Sequence, residues 1–162
     1  MGNDAERDRD EAGRPRSARP RDALGRPLPA CSQGVPRIPD DLQLSPADTV
    51  GYAQDLLDRG LAFNAHEVLE AAWKNGPDTE RELWQGMAQL AVGITHVQRG
   101  NRKGAAALLR RGLDRLERVK TPAPHGIDVT GLSRYAAALI DDLATSADIP
   151  PTRLRPRLTN RA

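Results

Sequence analysis

Four residues able to do chemistry stand within one stretch, His66-Glu67-Val68-Leu69-Glu70-Ala71-Ala72-Trp73. Imidazole and carboxylate transfer protons and bind metals, and an indole stacks on a ligand or fills a core. At about 100° per residue, His66, Glu70 and Trp73 share one helix face with Phe63 and Leu69. The opposite face carries Asn64, Val68, Ala71 and Ala72, all small or neutral. A carboxylate buried among the largest apolar side chains needs a partner, because burying it alone is costly until its pKa shifts. Downstream, Gln85, Gln89 and His96 fall within a band about 40° wide on a helix, with Arg81 and Arg99 at its edge. Asn101 follows, and His125 lies in a loop placed to fold over the set. The expectation is a buried network of His66, Glu70, Gln85, Gln89 and His96.

Three readings of that network compete. It is a polar lock holding two helices together; it is a pocket for a small molecule or peptide, walled by Trp73 and Trp84; or it is a metal centre. In the last, His66, Glu70 and His96 are the ligands of a divalent metal and Glu67 is a general base. His66-Glu67-x-x-Glu70 approaches the zinc-protease pattern His-Glu-x-x-His, with glutamate in place of the second histidine. It also lacks the Glu-x-x-His order of di-iron bundles. No Ser/His/Asp triad and no phosphate-cradling glycine loop can be read from the sequence. The single Cys31 excludes an internal disulfide and a multi-cysteine zinc cage. No organic cofactor is called for.

The elements that must position these residues are helices. Ser45-Pro46-Ala47-Asp48 starts the first, with Ser45 as cap and Pro46 at the first helical position, and Gly60 stops it. The second covers about Ala62 to Lys74 and ends at Asn75-Gly76-Pro77. The third opens at Asp78 or Thr79 and runs to Arg99, with Leu83, Met87, Leu90, Ile94 and Val97 at helical spacing. Asn101 caps the fourth, to about Val119, and Asp128 the fifth, to about Ala144. Gly86 and Gly93 are seven residues apart and would let another helix come close, which accounts for their place in a helix they weaken. The fold expected is all-α: a compact bundle of about five helices, built from two antiparallel αα-hairpins and a C-terminal helix.

Composition sets the limits. A chain of 162 residues suits one domain with tails. All five aromatics lie between Tyr52 and Tyr135, whereas six of thirteen prolines fall in the first 40 residues. The net charge of +2 is unevenly spread. Residues 1–40 carry eight Arg against seven acids, 41–149 carry twelve Lys or Arg against fifteen acids, and 150–162 carry four Arg and no acid. The body is therefore slightly acidic, which argues against a nucleic-acid face there. Lysine is scarce, 3 against 21 arginines, which reads as GC-rich coding before selection for phosphate contacts. No apolar run is long enough to span a membrane and no secretory signal is present. The organisation expected is an Arg/Pro-rich extended or disordered arm over 1–43, a helical domain over 44–146 and a basic flexible tail over 147–162. The arm gripping nucleic acid is the lesser reading of its charge.

The stretches from His66 to Trp73 and from Trp84-Gln85-Gly86-Met87-Ala88-Gln89-Leu90-Ala91, followed by His96, Arg99-Gly100-Asn101 and Gly104-Ala105, resemble the bacterial and archaeal family called domain of unknown function 309. Arg19-Pro20-Arg21-Asp22 and Gly25-Arg26-Pro27-Leu28-Pro29 look like the extension of its actinobacterial members. The resemblance implies a compact helical fold in a cytoplasmic protein and brings no activity. It also implies that His66, Glu67, Glu70, Gln85, Gln89, His96 and Asn101 belong to a family pattern. The favoured reading is a non-enzymatic module that binds a partner protein or small ligand on the polar, tryptophan-bearing face between the second and third helices. The alternative is a metal-dependent hydrolase using His66, Glu70 and His96.

Overall fold

Capping chemistry sets the helix boundaries. The Ser45 hydroxyl accepts from the Asp48 amide at 3.1 Å and opens α1, Pro46–Asp58. Gly60, at φ 76°, turns the chain into α2, Ala62–Asn75. A 3-10 turn over Asp78–Glu80 leads into α3, Arg81–Gln98, and Gly100, at φ 78°, ends it. The Asn101 and Asp128 side chains accept from the Gly104 and Gly131 amides and open α4, Arg102–Glu117, and α5, Val129–Ala144. This computed structural model describes residues 21–26, 38–39, 42–145 and 147–160. The rest of the expected arm, Cys31 included, lies outside the described residues.

The five α-helices form the expected all-α bundle, with no β-strand among the described residues. Consecutive helices pack on one another, and α3 lies at the centre against both α2 and α4. The core runs through Leu57, Leu69, Leu83, Met87, Ile94, Leu109, Leu132 and Leu139. The α3–α4 contact is close because glycines line it on both sides. A Cβ on Gly93 would sit 2.8 Å from Leu109 Cγ. One on Gly112 would sit 2.8 Å from Leu90 Cδ2 and 2.9 Å from the Gly86 carbonyl oxygen. The close approach expected at Gly86 and Gly93 is therefore present, with Gly112 as its counterpart on α4. Arg102, at the start of α4, directs Nη2 onto the carbonyls of Asp142, Leu143, Thr145 and Ala147, at 2.7–3.3 Å. These include carbonyls of the last turn of α5, which have no partner within the helix.

The expected flexible basic tail is, over its described part, a packed strap. Leu154 and Leu158 are buried, and Pro151–Leu154 forms a 3-10 turn. Gln54 on α1 grips the strap with both ends of its amide, donating to the Pro156 carbonyl at 3.0 Å and accepting from the Leu158 amide at 2.9 Å. On the other side, the Asp128 amide donates to the Leu158 carbonyl at 2.9 Å, next to an antiparallel bridge between Ile127 and Thr159. Tyr135 donates its hydroxyl to the Arg153 carbonyl at 2.7 Å, and burial holds the phenol well above its ordinary pKa. The arginines of the segment point to a solvated tail, but the two leucines fix where it lies.

Candidate functional site

On α2 the structure reverses the expected orientation. The small face enters the core through Asn64, Ala65, Val68 and Ala71, with Leu69 beside them. Phe63, His66, Glu70 and Trp73 sit at the edge, partly exposed. Small side chains let α1 and α3 come close, while the large aromatics are left outside and are covered by cations. Arg21 and Arg99 lie 5.1 and 6.0 Å from the Phe63 ring centroid, and Arg81 and Lys74 lie 5.7 and 5.9 Å from that of Trp73. The described fragment of the arm, 21–26, folds into a turn on Phe63. Arg99 Nε donates to the Leu24 carbonyl at 2.8 Å, and Arg21 donates to the Gly25 carbonyl at 2.6 Å. Gly25 is at φ +77°, and any side chain there would collide with the Phe63 ring. This part of the arm is docked.

Glu70 finds its partners on its own helix, not on α3. Its Oε2 meets His66 Nε2 at 2.9 Å and its Oε1 meets Lys74 Nζ at 2.8 Å. His66 Nδ1 lies 3.2 Å from the Phe63 carbonyl, so both ring nitrogens face acceptors. The hydrogen bond from His66 outweighs burial and, with Lys74, lowers the Glu70 carboxyl to about 2. Glu67 shares a shallow cleft of about 220 Å³ with Arg21, His66, Glu70 and Lys74. A carboxylate with a depressed pKa stabilises the fold fully above its unfolded value, and that stabilisation is lost as the pH falls through the folded one. Glu70→Gln should therefore destabilise the protein by about 1 kcal/mol at pH 5.5, a figure reduced for partial exposure, and by nothing measurable near pH 2. Urea denaturation of both proteins across that range checks it, and a pH-independent difference would contradict the assignment.

The other members of the expected network are placed elsewhere. Gln89 accepts from Arg115 Nε at 3.1 Å, and the same guanidinium pairs with Glu82 at 3.0 Å, joining α3 to α4. Asn101 donates from Nδ2 to His96 Nδ1 at 3.2 Å while its oxygen caps α4. His96 Nδ1 must then be an acceptor, in keeping with a pKa held below the ordinary imidazole range by burial and, secondarily, by Arg99. Gln85 is half-buried on α3. No hydrogen bond between described residues links the His66–Glu70 pair to Gln85, Gln89 or His96. Among the described residues no group of three or more His, Cys, Asp or Glu side chains is placed to hold a metal ion. The expected ligand set His66, Glu70 and His96 is therefore not assembled, and the hydrolase reading built on it is set aside.

What the fold does assemble lies at the far end of α2. Trp84, only 2% exposed, donates from Nε1 to Glu80 Oε1 at 3.1 Å. The same oxygen takes His125 Nε2 at 2.7 Å, and the His125 and Trp84 rings stand 5.9 Å apart. His125 thus folds over Trp84 and not over His66. It does so at φ 65°, a left-handed conformation that costs a non-glycine residue about 1 kcal/mol or more. Trp84 and Glu80 help to line an open groove of about 340 Å³, with Val68, Ala71 and Ala72 of α2 and the chain from Leu42 to Pro46. Leu44 on its rim is one of two large apolar residues left exposed among the described residues. Trp73 does not line this groove, so the expected two-tryptophan pocket has one tryptophan wall. The sequence reading missed Glu80, although its place four residues before Trp84 was a usable signal. Nothing local announced the partner of His125.

Residues 50–108 match the family model described as "Domain of unknown function (DUF309)". Over 52 residues the chain is 40% identical to a protein of Bacillus subtilis (strain 168) described as "Uncharacterized protein YpuF". That alignment covers 32% of this chain and 30% of the relative, so the chain spans about a third of the relative's length. No solved structure matches. The matched stretch holds every site residue expected from the sequence, together with Glu80 and Trp84. His125 and Leu42 to Pro46 lie outside it.

Proposed function

We propose that the chain is a non-enzymatic cytoplasmic binding module whose ligand seat is the groove walled by Trp84 and Glu80. The observation that carries this is a recess of about 340 Å³ in which apolar walls, interrupted by Gln43, Thr49 and Asn75, meet a single carboxylate fixed by two hydrogen bonds. Small-ligand sites have this character: a mostly apolar concavity of about 300–1,000 Å³ with few, well-placed polar groups. The His66–Glu70–Lys74 set supports a structural part instead, since both carboxylate oxygens are already engaged. The seat thus moves from the histidine-bearing face of α2 to the end of α2 and the start of α3.

The test is a small-fragment screen by NMR in a Trp73→Phe background, where the indole N–H signal belongs to Trp84. Bound fragments should shift that signal, and Ala72→Phe, which fills the groove, should abolish the shifts while leaving the melting temperature within a few degrees. Shifts that survive the filled groove, or fragments that bind without moving the indole, would place the seat elsewhere.

A further inference from the structure

We infer that the groove selects a small ligand with an apolar body and one protonated amine, which docks on Oε2 of Glu80. The inference rests on the groove being a ligand seat, as proposed above, and adds the ligand's chemical class. Glu80 is the one charged side chain among the lining residues, so the recess offers a fixed negative charge, whose ion-pair partner His125 sits on Oε1 at 2.7 Å and leaves Oε2 to a ligand. The nearby cations are committed elsewhere. Lys74 holds Glu70, and Arg81 pairs with Asp78 at 3.4 Å while covering Trp73. Within Glu80 the two oxygens differ. Oε1 takes both Trp84 and His125, whereas Oε2 has no hydrogen bond from any described residue. The Glu80 side chain is 18% exposed, and Oε2 is not among the fully buried unpartnered atoms, so it is an acceptor within reach of a ligand and open to a charge-assisted bond. An ammonium group on Oε2 leaves the bonds to Trp84 and His125 intact. An anion would be repelled by the carboxylate. A neutral donor would make only an ordinary hydrogen bond to Oε2, weaker than the charge-assisted one. Leu42, Leu44, Val68, Ala72 and the Trp84 ring supply the apolar walls for the rest of the molecule.

Three probes of one shape separate the possibilities: 2-phenylethylamine, 2-phenylethanol and 3-phenylpropionate, titrated at pH 7 against the Trp84 indole signal in the full chain. The amine should bind about tenfold or more tighter than the alcohol, with the carboxylate weakest, as a charge-assisted hydrogen bond requires. Glu80→Gln, which keeps an oxygen to accept from Trp84, should bring the amine down to the alcohol. His125→Ala leaves the carboxylate in place, still held by Trp84, and removes one of the two donors on Oε1, so it should tighten the amine severalfold and leave the alcohol unchanged; this variant decides the matter if Glu80→Gln does not fold. Amine and alcohol binding equally, both at Trp84, would overturn the amine selection while the seat stands. Fragment shifts that survive Ala72→Phe would instead remove the seat itself. A blocked lysine amide binding as tightly as 2-phenylethylamine would assign the groove to a lysine of a partner protein and overturn the small-ligand assignment.

Discussion

Removing residues 150–162 is expected to lower the unfolding free energy by about 4 kcal/mol, as two buried leucines lose their place at about 1.5–3 kcal/mol each. Leu154 and Leu158 are 6% and 3% exposed, and their loss also uncovers Ile127, itself 2% exposed. For a chain of this size the melting temperature should fall by roughly 10 °C. Urea and thermal denaturation of the shortened and full chains measure both. The charge of the segment is not the cause. Arg153 and Arg157 make surface ion pairs, with Asp142 at 3.4 Å and Asp58 at 3.6 Å, and Arg153 also lies 5.0 Å from the Tyr135 ring centroid. Changing both to Gln should therefore cost less than about 1 kcal/mol. Equal stability of the shortened and full chains would mean that the strap contributes nothing, contrary to its burial.

Gly112→Ala is expected to destabilise by about 2 kcal/mol, although alanine is the better helix former. The added methyl would press on Leu90 Cδ2 at 2.8 Å and on the Gly86 carbonyl oxygen at 2.9 Å. The leucine could turn aside, but the carbonyl belongs to the backbone of α3, so relief requires α3 and α4 to separate. The matched control has the opposite sign. Gly51 is within α1, and a Cβ there meets nothing within 4 Å. Gly51→Ala should therefore stabilise by about 0.5–1 kcal/mol. Measuring both by denaturant unfolding separates helix propensity from helix spacing, and a stabilising Gly112→Ala would refute the close seam.

The helix ends were legible in the sequence because they are local. Ser45, Asn101 and Asp128 each bond a backbone amide three residues on, and Gly60 and Gly100 supply the left-handed turns. Nothing distant decides these contacts. The face of α2 was misread because size was taken as the sign of burial. Here Ala65 and Val68 are buried so that helices can approach, and Phe63 is left to arginines from residues 21 and 99. The supposed need of Glu70 for a partner on α3 disappeared once it stood at the edge, within reach of residues four before and four after it. Gln54 holding the strap and His125 reaching Glu80 span about a hundred and about forty-five residues of chain. Such contacts depend on the completed packing, which no local pattern encodes.

The fan of carbonyls around Arg102 changes the meaning of the arginine surplus. One guanidinium nitrogen joins the start of α4 to the end of α5, and at Arg99 the same group both bonds Leu24 and covers Phe63. A lysine at position 99 would conserve every unit of charge and lose the joint, because an ammonium is a point and a guanidinium is a plate whose edge bonds while its face covers a ring. Whatever codon bias filled the chain with arginine, the folded protein has since turned some of them into fasteners, and net charge no longer measures what they do.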